Sequence, residues 1–590
     1  MEKSEDLLKI LESKEIEVFG KLKFSSKEEK ISFLARFEKF EKKGVNLKFL
    51  NQDLVEILLE VKTHEGTIES LRKINWKDFH KIFKEHKSRL EEKIYNNFLS
   101  FLRTELHISK KEENKLKTKT QKLENSNNIT QTTNHHDDSI FENNPNFEIK
   151  EDLKKKLEKY KVNLLFDYNE PSHKLTVTDF TLYFNRRLQY FTNLLSNRVA
   201  AENVVRINQL RDLFDTNTQV TIIGLISEIT ETKKGHYMIT IEDKSGQIKC
   251  FVNKDKTEMM NLVHNFCLDE GIGVKGKVGN NIIWTDEFLI PSPPNEHELK
   301  KTKEENFIVM ISDIHFGAKV FQDEAFQKFL EWINGNTQND KLNQIAKKVT
   351  HVLIPGDIIE GIGIYPGQGE DARILSTEGQ YHEAARWLAQ IPKHIGIIII
   401  PGNHDTDRLS EPQPKLPYHK AYALYNMENV MMASNPAIIK LFEEDLSGGL
   451  EFYMYHGGSF FYYADKIQHL REKGGAKVPE EVVKFLLEKR HLAPSHGATL
   501  YFPDTKEDPL VIKKMPDFFI TGHTHKMALA NYKGCTIVSC GCWVEMSDYQ
   551  EKMGMYPDVG KAIVINTKTR KPHILDFYTE KHKKQNKNKE

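Results

Sequence analysis

Cysteine is scarce in this chain of 590 residues. There are five, Cys250, Cys267, Cys535, Cys540 and Cys542, with no paired CxxC frame among them. That excludes a zinc ribbon and a disulfide scaffold. Long hydrophobic runs are also missing, and none approaches the ~20 residues of a membrane span. The first thirty residues are rich in Lys and Glu, unlike a signal peptide. The expected compartment is the reducing cytoplasm, with no membrane contact. Neither charge is in excess, with 85 Lys+Arg against 85 Asp+Glu. A generally basic nucleic-acid coat is therefore excluded, and any DNA contact must come from a local patch. No internal repeat is visible. What remains is a chain long enough for about three or four domains at roughly 100–200 residues each. Its 39% hydrophobic and 29% charged residues suit a mostly globular protein.

Composition divides the chain. Residues 1–105 carry a helical period (Leu7, Leu8, Ile10, Leu11, then Ile31, Leu34, Phe37, Phe40) and predict a helical domain without chemical motifs. Residues 106–147 are polar, repetitive and nearly free of large apolar groups, which predicts a disordered linker. His135, His136, Asp137 and Asp138 fall in that linker and read as solvated side chains, not metal ligands. Residues 148–205 predict a helical connector, with Arg186 and Arg187 on its solvated face. Residues 206–293 hold five short segments rich in β-branched residues, which predict a small closed barrel of the OB type. These strands carry few aromatics, so a structural or subunit-contact role is expected ahead of base stacking. Residues 305–578 alternate strand, loop and helix, the pattern of an α/β layered domain. The tail, 579–590, is basic, polar and expected to be disordered.

The chemistry lies in the α/β domain. Five apolar strands each run into a polar cluster: Asp313-Ile-His315, Gly356-Asp357, Gly402-Asn403-His404-Asp405, His456-Gly457 and Gly522-His523-Thr524-His525. Ligand and catalytic groups collect at the carboxyl ends of strands in such domains. Carboxylates, an amide and several imidazoles suit Mn, Fe or Zn better than Ca. Seven such donors are too many for one tetrahedral ion and fit two ions sharing a carboxylate. Two ions about 3.5–4 Å apart lower the pKa of a shared water and bind phosphoryl oxygens, which suits phosphate-ester hydrolysis.

D-x-H, GD, GNHD, H and GHxH in this order resemble the calcineurin-like metallophosphoesterases. The resemblance implies a β-sandwich flanked by helices. It also implies one metal site from Asp313, His315, Asp357 and His525 and a second from Asp357, Asn403, His456 and His523, with Asp357 bridging. His404 matches the non-ligand histidine that protonates the leaving oxygen, and Glu360 stands where related enzymes carry an acid that orients it. Two divalent ions are implied, manganese first, with iron, zinc and magnesium as alternatives. The loops 353–368, 402–414 and 489–497 resemble, more narrowly, the small subunits of archaeal family-D replicative DNA polymerases, as does the order of barrel and phosphoesterase. That resemblance covers roughly residues 150–578 and implies 3′→5′ exonuclease proofreading of a primer end. Its implied partners are a large catalytic subunit, the DNA primer 3′ end and, through the complex, a sliding clamp. Arg408 and Arg490 are candidates for holding neighbouring phosphates. Two other readings compete: a stand-alone metallophosphoesterase or repair nuclease, and a catalytically silent accessory subunit. Segment 539–550, SCGCWVEMSDYQ, departs from the expected polar composition but lies outside the ligand set.

Overall fold

The computed structural model describes residues 145–578 apart from 199–202, 215, 295–297, 366, 406, 447, 547–553 and 555, together with residues 17–18, 33 and 49–50. Within 1–105, where the sequence predicts helices alone, Glu17–Val18 (β1) and Phe49–Leu50 (β2) pair as parallel strands. A two-residue strand leaves no period to read. The rest of that segment, the predicted linker up to residue 144 with His135, His136, Asp137 and Asp138, and the tail lie outside the described residues.

Helix α1 (Pro145–Lys159) begins three residues inside the predicted linker. Proline suits this first position because its missing N–H would be unbonded there anyway. The predicted helical connector also contains a strand, β3 (Asn163–Asp167), paired antiparallel with a strand 270 residues later. Five residues of mixed polarity are too few to show a period. Helix α2 (Val177–Ser196) buries Tyr183, Arg187, Leu188, Phe191 and Leu195, which recur at helical spacing. Arg187 is therefore not solvated, as its sequence neighbours suggest, but 1% exposed. Its Nε donates to Asp508 Oδ2 at 2.7 Å, and its other nitrogens reach Asp269 O, Pro494 O and Tyr183 Oη. Arg186, one step round the helix, stays exposed and reaches Thr505 O and Gln189 Oε1.

The five β-branched segments read in 206–293 become β4 (Gln219–Glu231), β5 (Tyr237–Asp243), β6 (Gly246–Val252), β7 (Gly271–Val278) and β8 (Ile282–Leu289). They close in the order β4-β5-β6-β8-β7. Ile239, Ile241, Ile248, Cys250, Ile272, Val274 and Ile283 fill the interior. On the outside, the few aromatics of these strands are gathered by the fold. Parallel pairing of β6 with β8 sets Phe251 beside Trp284, ring centroids 4.9 Å apart, and His236 lies 5.0 Å from Phe251. Three rings far apart in the chain become one cluster, with Trp284 about half exposed.

The α/β domain is a sandwich of two six-stranded sheets. The first holds β9 (Phe307–Met310), β10 (Val349–Pro355), β11 (Gly396–Ile400), β12 (Val430–Met432), β18 (Lys561–Asn566) and β19 (Pro572–Asp576), ordered β12-β11-β10-β9-β18-β19. The second holds β3 with β13 (Ala437–Leu441), β14 (Leu450–Met454), β15 (Phe518–Thr521), β16 (Ala528–Tyr532) and β17 (Cys535–Ser539), ordered β16-β17-β15-β14-β13-β3. Between the sheets Ile308, Met310, Ile398 and Ile400 meet Phe452, Met454, Phe518 and Ile520. The outer face of the first packs on α3 (Asp323–Ile333) and α4 (Thr377–Leu388) through Phe326, Phe329, Trp332 and Tyr381. The outer face of the second packs on α5 (Pro479–Lys489) through Val482, Phe485 and Leu486. Central strands covered on both faces must be apolar throughout, as in Phe307–Met310 and Gly396–Ile400.

Two buried ion pairs tie the sandwich domain to the segments before it, one through helix α2 and one through the barrel. One is the Arg187–Asp508 pair, shared with His491 Nε2 at 2.8 Å. The other joins Lys489 Nζ of α5 to Glu270 Oε2 at 2.7 Å. Burial alone would raise the Asp508 carboxyl, but His491 and Arg187 outweigh it and hold it well below its ordinary value. Removing one partner of a buried pair leaves an uncompensated charge and costs about 3–5 kcal/mol. Arg187→Met should therefore lower the unfolding free energy by that amount at pH 7, read from the shift of the denaturant midpoint times the m-value. A depressed carboxyl stabilises the fold above its unfolded pKa of about 3.9 and loses that contribution as pH falls further. The gap between wild type and Arg187→Met should thus narrow below that pH, and a gap that widened would contradict the pairing.

Candidate active site

The five polar clusters sit just past the carboxyl ends of β9, β10, β11, β14 and β15, where the sandwich brings them together. The backbone is bent hard to do so. Asp313, His315, Asp357, His523 and His525 all have positive φ, between 49° and 69°. Each such residue costs about 1–3 kcal/mol, and such strain concentrates at functional sites. Close approach sets two glycines. A Cβ on Gly402 would lie 2.1 Å from Asp357 Oδ1, and one on Gly522 would lie 2.4 Å from Asp313 Oδ2.

The predicted ligands gather into two groups, Asp313 with His315 and His525, and Asp357 with His456 and His523. In the first, His525 Nε2 lies 3.2 Å from His315 Nε2 and 3.4 Å from Asp313 Oδ1. In the second, His456 Nε2 lies 3.2 Å from Asp357 Oδ2 and 3.0 Å from Asn403 Oδ1. Asp357 Oδ2 is also 3.9 Å from His315 Nε2, so this carboxylate touches both groups. His456 Nδ1 donates to Pro355 O at 2.8 Å, which fixes its tautomer and leaves Nε2 facing the site. Its backbone N donates to Asn435 Oδ1 at 3.0 Å, and Asn435 Nδ2 donates to Gln413 Oε1 at 2.7 Å. The end of loop 402–414 thus props His456 from behind through Gln413.

The donor set fits divalent cations. Asp313 and Asp357 are buried, and every ion pair they make among the described residues is to a histidine. Burial pushes His523 down to about 3, with the His456 charge adding to it, so His523 stays a neutral donor. Burial also opposes charge on His456, but Asp357 outweighs it and pushes that imidazole up to about 10. A carboxylate pocket that otherwise holds a proton on a histidine is one where a metal replaces the proton.

His404 stands beside these groups. Its Nδ1 donates to Glu360 O at 2.5 Å, leaving Nε2 free, and its backbone N donates to Asp357 Oδ1 at 3.0 Å. Glu360 therefore orients His404 through its main chain, not through its carboxylate as the resemblance implies. The carboxylate turns the other way, with Oε2 3.2 Å from His315 Nδ1. Burial alone would raise the Glu360 carboxyl, but His315 outweighs it and holds it down to about 2.

Several contributors escaped sequence reasoning. Asp405, the last residue of GNHD, accepts from Gly402 N, Ile358 N and Ile359 N at 2.9–3.1 Å and so ties the Asn403 loop to the Asp357 loop. Gln368 Nε2 donates to Glu360 O at 2.6 Å. Segment 539–550 is closer to the site than its lack of ligands suggests. Trp543 N donates to Asp313 O at 3.0 Å, and Cys542 lies against His525. Arg408 and Arg490 are structural. Arg408 stacks on Tyr168 and Phe502 and donates to Pro412 O. Arg490 caps α5 in the left-handed conformation and donates to Pro291 O and Lys513 O.

Residues 308–527 match the calcineurin-like phosphoesterase family, and residues 220–287 match the OB-fold nucleic acid binding domain family. The DNA polymerase II small subunit of Methanothermobacter thermautotrophicus is 35% identical over 402 residues, which is 68% of this chain and 80% of that one. Its counterpart from Pyrococcus furiosus is 33% identical over 455 residues, 75% of this chain and 72% of that one. The chain belongs to the DNA polymerase II small-subunit family. The Archaeoglobus fulgidus member is also 33% identical, over 66% of this chain and 75% of its own. The match to the calcineurin-like phosphoesterases supports a hydrolase role for this DNA polymerase II small subunit, and the two donor groups could hold divalent metal.

Two outcomes are expected for metal binding. Asp357→Ala should lower the metal content of both groups, whereas His315→Ala should leave the Asp357–His456–His523 group loaded. Elemental analysis after dialysis checks this, and two retained ions in Asp357→Ala would remove its bridging assignment. Because a metal must displace the His456 proton, affinity should rise with pH by about tenfold per unit for each proton released. Calorimetric titration with Mn²⁺ at pH 6.5 and 8 reads that slope directly.

Proposed function

We propose that this DNA polymerase II small subunit is a 3′→5′ exonuclease that excises a mispaired primer end and docks on a large catalytic subunit that performs synthesis. The observation that carries the reading is the placement of His404. Its Nδ1 is committed to Glu360 O, its backbone N donates to Asp357 Oδ1, and its ring lies 4.7 Å from that of His315, beside the carboxylate that joins the two ligand groups.

The residues divide the work. Asp313, His315, Asp357 and His525 would hold one divalent ion, and Asp357, Asn403, His456 and His523 the other. Manganese is the first choice, with iron, zinc and magnesium as alternatives. Such ions supply an activated water and positive charge for the phosphoryl oxygens. The bond formed joins water oxygen to phosphorus, and the bond broken joins phosphorus to the 3′-oxygen of the penultimate nucleotide. His404, as the imidazolium that has taken a proton from solvent at Nε2, delivers that proton to this oxygen as it leaves, while the Glu360 carbonyl keeps the ring aimed; the proton lost by the attacking water returns to solvent. The carboxylate of Glu360 holds His315. Each cycle releases a nucleoside 5′-monophosphate and a strand shorter by one.

Family membership favours this over a stand-alone repair nuclease. The complete donor set favours it over a silent scaffold, because a scaffold has no use for buried carboxylates facing imidazoles. The sliding clamp would be reached through the assembled complex. The cytoplasm is the proposed compartment, and among the described residues no helix is long and apolar enough to cross a membrane.

His404→Ala should keep both ions and the fold while slowing excision of a 3′ mismatch by about 10²–10⁴-fold, the usual contribution of a positioned general acid. Primer extension by the complex should survive, and misincorporation should rise. Single-turnover excision, metal content and extension by the same preparation test this together. Unchanged excision would remove His404 from the mechanism, and loss of metal would make it a ligand.

A further inference from the structure

The loop from Gly361 to Asp371 borders His404 and carries a tyrosine held in an unusual way. The Tyr365 hydroxyl lies 2.8 Å from Asp371 Oδ2 and 3.1 Å from Glu360 Oε1, so its one proton is committed to this carboxylate pair. Gln368, itself 1% exposed, pins the same loop: its Nε2 donates to Glu360 O and its Oε1 accepts from Ile364 N at 2.8 Å. The tip of the ring is thus anchored. Its body is not packed away, because Tyr365 is 37% exposed and its loop neighbour Ile362 is 39% exposed. The ring centroid lies 6.3 Å from that of His404, with the planes at 61°.

An aromatic ring anchored at its hydroxyl and left open beside the proton donor has the form of a stacking platform. Bases stack on such rings whatever their identity, because every base has a π-face. Its position says which base. His404 serves the leaving 3′-oxygen, and that oxygen belongs to the penultimate nucleotide, the one that becomes the new primer end. We propose that Tyr365 stacks against the base of the penultimate nucleotide, so that the centre grips the strand it retains, not the nucleotide it removes. This rests on the exonuclease reading and adds a substrate contact to it. The contact requires the last two nucleotides to be unpaired from a template, which a mismatched end supplies at lower cost than a paired one.

The test uses the full-length protein with Mn²⁺ and three single-stranded oligonucleotides: one intact, one with a tetrahydrofuran abasic analogue at the 3′-terminal position, and one with the analogue at the penultimate position. Wild type should excise the penultimate-abasic strand about tenfold more slowly than the intact one in single turnover, as the loss of one base–aromatic stack implies. The terminal-abasic strand should be affected far less. Tyr365→Leu should slow the intact strand about tenfold and erase the difference between intact and penultimate-abasic. Tyr365→Phe lacks the same hydroxyl but keeps the ring, so it should retain that difference. A second reading is independent of turnover. A 2-aminopurine at the penultimate position of a phosphorothioate-ended strand should be quenched on binding to wild type and Tyr365→Phe but not to Tyr365→Leu. If Tyr365→Leu slows intact and penultimate-abasic strands equally, or if Phe behaves like Leu, the stacking assignment is overturned. Wild type that cleaves bis(p-nitrophenyl) phosphate but no strand end would sink the exonuclease reading, and the inference with it.

Discussion

Two buried carboxylates that have no lysine or arginine partner among the described residues govern this structure. Asp313 and Asp357 are fully enclosed at the ends of neighbouring strands, and a buried carboxylate costs several kcal/mol unless a cation answers it. The chain answers them with imidazoles only. That arrangement is satisfied by protons on His456 and His525 or by divalent metal. The left-handed backbone at five of the seven donor positions, and the glycines pressed against both carboxylates, follow from the need to bring those imidazoles close enough. The sandwich core supplies the stabilisation that this strain requires, since its central strands are apolar on both faces.

The same chain solves the opposite problem elsewhere. Where the sandwich meets the segments before it, Asp508 and Glu270 are as buried as Asp357, yet each has a protein cation, Arg187 and Lys489. Those pairs are closed. The buried arginine spends four of its five N–H donors on Asp508, Tyr183 and two main-chain carbonyls. Carboxylates paired with arginine or lysine thus close the structure on itself, and the carboxylates answered by histidine alone are the ones left able to take a metal.

This contrast explains what the sequence revealed and what it hid. The donor clusters were legible because each lies contiguous with its own apolar strand, so residue type and position are read together. The five barrel strands were legible from their β-branched residues. Arg187 was not, because its partner is 321 residues away and a helix with one buried arginine has the same pattern as one with a solvated arginine. The barrel's ring cluster was hidden for a related reason: His236, Phe251 and Trp284 meet only once the barrel closes. Strand β3 gave no period in five residues, and its place at the sandwich edge depends on β13.

Glu360 shows the limit most sharply, because its identity was legible and its orientation was not. A resemblance carries over which residue stands near the proton donor, but not which of its atoms faces that donor. Here the backbone carbonyl fixes the His404 tautomer, and a neutral acceptor does this without the large gain in basicity that a carboxylate would bring. Burial can then keep His404 below its ordinary value. The carboxylate, freed from that task, serves His315 on the opposite side. One residue thus ties the position of a metal donor to the position of the proton donor. The pinning contact of Gln368 and the Tyr365 hydroxyl converge on that same residue, so the loop that would meet the substrate is anchored to the group that sets both halves of the chemistry.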